Sequence, residues 1–87
     1  MTSREVVIGH RLGLHARASA KLVRLAGHYR SEISLSRVDN DCSEPADGRS
    51  ILGILLLAAG QGNTVRVQAD GEDEREAVDA ICEYLAD

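Results

Sequence analysis

The sequence has very few aromatic residues and no long hydrophobic run. Its 87 residues include two tyrosines, Tyr29 and Tyr84, and neither tryptophan nor phenylalanine. Proteins that bind single-stranded nucleic acid stack the bases on aromatic side chains, so this composition argues against that class of function. The longest apolar run, residues 51–59 with Gly53 as its interruption, is far too short to cross a bilayer, and we expect no membrane insertion.

Cysteine is also scarce. Cys42 and Cys82 are separated by 40 positions, and no short spacing typical of metal ligands occurs. The two could form a disulfide, but unclustered cysteines in a sequence without a signal-peptide pattern are more typical of reduced thiols in the cytoplasm. We therefore expect a cytoplasmic protein that carries no metal and no cofactor.

The charge is negative overall and unevenly distributed. A net charge of −4 is a second argument against binding to nucleic acid. Residues 1–30 contain six basic residues and a single acid, Glu5, whereas residues 70–87 contain eight acids and a single base, Arg75. The amino-terminal part should therefore present a positive surface that suits an anion or an acidic protein partner.

The length and the hydrophobic periodicity predict one domain, residues 1–87, which we expect to be a monomer. Segment 50–59 fits a helix or a buried strand, and its leucines and alanines followed by Gly60 favour the helix. Pro45 should confine the strand before it to a sheet edge. The predicted strands are 6–8, 32–37, 42–44 and 64–69, and the predicted helices are 16–27, 50–59 and 73–86. The order β-α-β-β-α-β-α predicts an α+β open-faced sandwich, with an antiparallel sheet and the helices on one side.

The segment GLHARASAKLV, residues 13–23, places His15 at the start of the first predicted helix. The first N–H groups of a helix have no partner within it, and the helix dipole adds positive charge there, so the position suits an anion. Arg17 adds a guanidinium whose geometry matches phosphate oxygens. A phosphoryl-acceptor histidine is one interpretation, and a capping histidine beside a surface arginine is the other. By contrast, His10 and His28 lie in loops, where we expect solvent exposure or local hydrogen bonds.

A second segment, GRSILGILLLAAGQG at residues 48–62, begins its helix at Ser50. The commonest role of a serine there is the N-cap. Because the helix is apolar nearly all round, one interpretation leaves some of Ile51, Leu52 and Leu55 exposed as a docking patch. The alternative is a helix that lies deeper in the core.

Taken together, GLHAR, AKLV and SILGILLL..GQG resemble the HPr family, the histidine-containing phosphocarriers of the bacterial sugar phosphotransferase system. The resemblance covers essentially the whole chain, with Ser50 following His15 by 35 residues. It implies a four-stranded antiparallel sheet with three helices on one face. It also implies that His15 accepts phosphate at Nδ1 from phosphorylated enzyme I and passes it to a permease A-domain or a nitrogen-type equivalent. Such a protein is a phosphoryl carrier, not an enzyme.

The same resemblance implies roles for further residues. Arg17 would steady the phosphoryl group, and Ser50 matches a serine that an HPr kinase/phosphorylase modifies in some bacteria. Partner docking is implied for two groups of residues. They are Ala16 and Ala20, with Arg17, on the first helix, and Ile51, Leu52 and Leu55 on the second.

The sequence departs from the family's commonest form, GLHARPA. Ala18 replaces the proline and Ser19 the following alanine, as in some proteobacterial members that also have a leucine like Leu12. A mainly regulatory module, in a carbon or nitrogen relay, is therefore an alternative to sugar uptake. A small hydrolase similar to acylphosphatases is another, although its catalytic amide would have to come from Asn40 or Asn63, far from Arg17 along the chain.

Overall fold

The structure is a computed structural model that describes residues 1–39 and 44–87. Its elements follow the predicted order β-α-β-β-α-β-α. They are β1 (Thr2–Val7), α1 (Ala16–Ala26), β2 (Glu32–Arg37), β3 (Ala46–Asp47), α2 (Ile51–Leu56), β4 (Thr64–Asp70) and α3 (Glu74–Ala86). The predicted α+β open-faced sandwich is confirmed. Within the described ranges, no helix has the length and apolar character needed to cross a membrane.

The four strands form one antiparallel sheet in the order β1-β4-β2-β3. Alternate residues of β2 and β4 point to the same side, and there Leu35 and Val67 are directly opposite each other and fully buried. The three helices cover this side, with α3 against β1 and β4 and with α1 packed on α2 and α3. The other face of the sheet remains open, as the alternating pattern predicts.

The bounds of two strands, β1 and β3, differ from the prediction. Strand β1 begins at Thr2 and ends before Ile8, because its polar first half is held by pairing with β4 rather than by an apolar pattern. The third strand lies at Ala46–Asp47, opposite Leu35 and Ser34 at the sheet edge, after Pro45 rather than before it. Of the residues predicted for that strand, Cys42 and Ser43 lie outside the described part of the chain.

The other corrections concern α2 and His10. Helix α2 is shorter than the predicted 50–59, because Ala58 has a φ of +52° and turns the chain out of the helix. The expectation of solvent exposure or local hydrogen bonding for His10 is wrong. Its Nε2 lies 2.7 Å from the carbonyl oxygen of Tyr84, and its ring packs edge-on against that of Tyr84. His28 is exposed, as expected.

Candidate functional site

His15 is the N-cap residue of α1. Its backbone is extended, with φ −74° and ψ 177°, and its carbonyl oxygen accepts the first helical hydrogen bond, from the N–H of Ser19 at 2.8 Å. The imidazole is half-buried and makes no capping hydrogen bond to the helix. The side chain is therefore adjacent to the first N–H groups of an 11-residue helix without being used to satisfy them.

The chain that enters this cap is clamped to the loop after α2. Gly13 has a φ of +67°, and a Cβ there would lie 2.7 Å from the carbonyl oxygen of Ala59 and 2.8 Å from Cα of Gly60. A side chain at this position would therefore meet both a backbone clash and an unfavourable conformation. The N–H of Leu14 then donates to the same Ala59 oxygen at 2.9 Å. The sequence did not indicate this contact, because residues 13 and 59 are distant along the chain.

Arg17 lies in the first turn of α1 and is exposed. Among the described residues, its guanidinium has neither a hydrogen bond nor an ion pair, whereas Arg66 pairs with Glu5 at 2.9 Å. Lys21, one turn further along α1, is also exposed. The start of α1 therefore combines unsatisfied N–H groups, the positive end of a dipole and an available cation, which together favour an anion such as phosphate.

Ser50 is the N-cap of α2, as predicted. Its Oγ accepts a hydrogen bond from the N–H of Gly53 at 3.0 Å, and its carbonyl oxygen accepts from Ile54. The hydroxyl oxygen of Ser50 is thus part of the local structure, in contrast to the imidazole of His15.

Helix α2 buries one side and exposes the other. Ile54 is fully buried, whereas Ile51 is 42% exposed, Leu52 66% and Leu56 75%. The predicted exposure is confirmed for Ile51 and Leu52, and Leu55 is half-buried. The prediction missed Leu56, which follows Leu52 by one helical turn and extends the same apolar stripe. On the neighbouring α1, Ala16 is exposed and Ala20 half-buried.

Comparison with known proteins identifies the family. A family described as "PTS HPr component phosphorylation site" matches residues 2–87. The chain belongs to the HPr family. Phosphocarrier protein HPr of Cupriavidus necator is 46% identical over 86 residues, covering 99% of this chain and 92% of that protein. Phosphocarrier protein NPr of Shewanella violacea is 40% identical over 79 residues, covering 91% of this chain and 82% of that protein.

The similarity extends to solved structures. A crystal structure of a phosphocarrier protein HPr from Bacillus anthracis has a TM-score of 0.88 and 27% identity, covering 97% of this chain and 95% of that one. As a member of the HPr family, the protein is a phosphocarrier of the phosphotransferase system and not itself a catalyst.

The amide that a hydrolase would need is also in use at Asn63, which accepts from the N–H of Gly60 and donates to Asp39. Asn40 lies outside the described residues.

Proposed function

We propose that His15 is the phosphoryl acceptor of this HPr-family protein. In this proposal the lone pair of His15 Nδ1 attacks the phosphorus on phosphorylated enzyme I, and the bond between phosphorus and enzyme I breaks as the new phosphorus–nitrogen bond forms. The phosphoryl group later passes to a permease A-domain or a nitrogen-type equivalent. The observation that carries it is an N-cap residue whose side chain caps nothing, followed two positions later by an arginine that has no partner among the described residues. A histidine with a purely structural role would be expected to satisfy one of those N–H groups.

The groups around His15 suit a carrier. Dianionic phosphate on the imidazole would be close to the positive end of the α1 dipole, and the Arg17 guanidinium could bind two of its oxygens. No general acid or base is needed on this chain, because the phosphorus–nitrogen bond is already reactive. In the onward transfer the attacking group belongs to the acceptor. One chain supplies all of these groups, so we propose that it acts as a monomer.

The exposed face next to this site is our proposed docking patch for enzyme I and the acceptors. It consists of Ala16 and Ala20 on α1 and Ile51, Leu52, Leu55 and Leu56 on α2. A group of exposed apolar side chains on a small protein is typical of a binding surface. Its position beside the positive start of α1 suits a partner with an apolar centre and an acidic rim.

Ser50 is proposed as a regulatory phosphorylation site for an HPr kinase/phosphorylase. Its hydroxyl lies at the edge of the docking patch, immediately before Ile51. A phosphate there would add roughly −1.5 to −2 charges next to apolar residues that a partner has to cover. We expect such a modification to weaken docking without altering the chemistry at His15.

A nitrogen-type, mainly regulatory relay is the second candidate function. It is favoured by the similarity to the Shewanella violacea NPr. Because the identity to the Cupriavidus necator HPr is higher, we rank the nitrogen-type relay second. The two candidates differ in the enzyme I that donates the phosphoryl group, so presenting both donors separates them.

The test is phosphoryl labelling followed by intact mass. The protein, phosphoenolpyruvate and Mg²⁺ are incubated with either a sugar-type or a nitrogen-type enzyme I. We expect an acid-labile gain of about 80 Da, one phosphoryl group, with at least one donor. His15→Ala should abolish this gain, and His28→Ala, which removes an exposed histidine elsewhere, should retain it. An unchanged wild-type mass with two competent donors would overturn the proposal.

A further inference from the structure

Two polar side chains are fully buried among the described residues, Ser19 and Ser31, and each has a hydrogen-bonded hydroxyl. The hydroxyl of Ser31 donates to Asp73 at 2.5 Å, in a contact between the start of β2 and the start of α3. The hydroxyl of Ser19 donates to the carbonyl oxygen of Leu14 at 3.1 Å. Ser19 therefore binds the residue that immediately precedes His15.

The donors of Ser19 hold both peptide groups that flank the Cα of His15. Its N–H donates to the carbonyl of His15 at 2.8 Å, and its hydroxyl donates to the carbonyl of Leu14. Since φ and ψ are the two soft dihedrals of a residue, fixing the peptide plane on each side fixes the direction of its Cβ. The N–H bond is the ordinary first bond of a helix, which almost any residue at position 19 could make. The hydroxyl bond depends on the side chain.

The identity of residue 18 gives this bond added importance. A proline in the first turn of a helix loses no helical hydrogen bond and restricts the backbone by its ring. Here that position is occupied by Ala18, which imposes no such restriction. The clamp from Leu14 to Ala59 holds the chain only on the amino-terminal side of the Leu14 carbonyl.

We propose that Ser19 is a positioning residue for His15, its hydroxyl providing the restraint that a proline at position 18 would provide. The bond holds the peptide before His15 and so aims the imidazole for attack on the phosphoryl donor. This inference rests on the proposed role of His15 as acceptor. Its effect belongs to the transfer step and not to docking, because Ser19 is buried and outside the proposed docking patch.

The first test is a double-mutant cycle in the full chain, with phosphoryl transfer from phosphorylated enzyme I measured over a range of carrier concentrations. Ser19→Ala should lower the maximal rate about three- to tenfold, the equivalent of one hydrogen bond, with KM unchanged. Ala18→Pro should change little by itself and should restore the rate when added to Ser19→Ala. Ser31→Ala, which removes the other buried serine hydroxyl, controls for loss of stability and should keep the wild-type rate.

Several outcomes would overturn the inference. They are an unchanged rate in Ser19→Ala, an equal loss in Ser31→Ala, a change confined to KM, or no rescue by Ala18→Pro. A second measurement is independent of phosphoryl transfer: NMR order parameters and the φ-dependent coupling of His15. Ser19→Ala should loosen the backbone of His15, and Ser31→Ala should not. If wild type accepts no phosphate, the proposed function fails, and this NMR comparison still decides whether Ser19 positions His15.

Discussion

Helices α1 and α2 both begin at a residue with an extended backbone, and these two residues use their side chains in opposite ways. Ser50 turns its Oγ back to accept from Gly53, whereas the imidazole of His15 makes no capping bond. The start of α1 is held instead by Leu14 on Ala59 and by Ser19 on Leu14. A side chain that is proposed to react is thereby left free of a structural role, and neighbouring groups hold its backbone.

Arg49 and Arg17, the arginines near the two helix starts, also differ in whether they are bound by neighbouring groups. Arg49 precedes Ser50. Its guanidinium donates to the carbonyl of Tyr29 at 3.3 Å, and its backbone N–H donates to the carboxylate of Asp47 at 2.9 Å. Arg17 follows His15 and has no such partner among the described residues. An unpaired guanidinium loses no existing contact when it binds an anion, which favours Arg17 as the phosphate ligand.

Among the variants that keep His15, removal of Arg17 should give the largest effect on phosphoryl transfer. Arg17→Ala should lower the rate of phosphoryl transfer to His15 about ten- to a hundredfold, because a charge-assisted hydrogen bond to the phosphoryl group is lost. Arg24→Ala removes the same charge from the last turn of α1 and is the matched control. Stopped-flow or quench measurements of labelling compare the two. Equal losses would mean that only the overall positive charge of α1 matters.

Variants of the two cap residues should affect different properties. Ser50→Ala should lower the free energy of unfolding by about 1 kcal/mol, because the cap of α2 is lost, and should leave labelling of His15 intact. His15→Ala should abolish labelling and barely alter stability, since the imidazole caps nothing. Thermal or denaturant unfolding and intact mass measure both properties for each variant. A large loss of stability in His15→Ala would show that the two caps are alike.

The same serine also tests the docking patch. Aspartate is a good N-cap, so Ser50→Asp should retain the stability that Ser50→Ala loses. Its charge should raise KM for phosphorylated enzyme I by up to about fivefold, as expected for a like charge at the rim of an interface, with the maximal rate unchanged. An unaltered KM would argue against docking beside Ser50.

Local patterns explain what could be predicted from the sequence. Strands β2 and β4 alternate with period two over their length, and the cap positions of His15 and Ser50 follow from residues adjacent in the chain. The polar half of β1 and the two-residue β3 could not be predicted, because pairing with β4 and β2 defines them. At the site, the clamp on Ala59 is a tertiary contact. Ser19 precedes Leu22, Val23 and Ala26 by three, four and seven residues, which places it on the apolar face of the helix, and a serine on such a face is a signal of a buried hydrogen bond.

Helix α3 provides a third helix start, in which the side chain of the cap residue serves the tertiary structure. The Asp73 carboxylate makes no capping bond to α3 but accepts from the N–H groups of Arg30 and Ser31, at 2.8 and 3.0 Å, and from the Ser31 hydroxyl. These bonds, led by that of the Ser31 side chain, hold the pKa of Asp73 below its ordinary value of 3.8. The carboxylate therefore stabilises the fold above this value, and the stabilisation is lost as the pH falls through the lower pKa of the folded state.

This contact gives the smallest of the expected effects. Asp73→Asn should lower Tm at pH 7, because the amide nitrogen that replaces one oxygen cannot accept from a backbone N–H. The difference from wild type should begin to shrink below about pH 4, where this carboxyl takes up a proton in the unfolded chain, and should continue to shrink as the pH falls through the lower pKa of the folded state. Asp79→Asn, on the exposed face of α3, is the control for the charge change and should show a smaller difference. A difference for Asp73→Asn that does not vary with pH would mean that its charge is irrelevant. Labelling of His15 should remain normal in both variants, because neither carboxylate belongs to the acceptor site proposed at the start of α1.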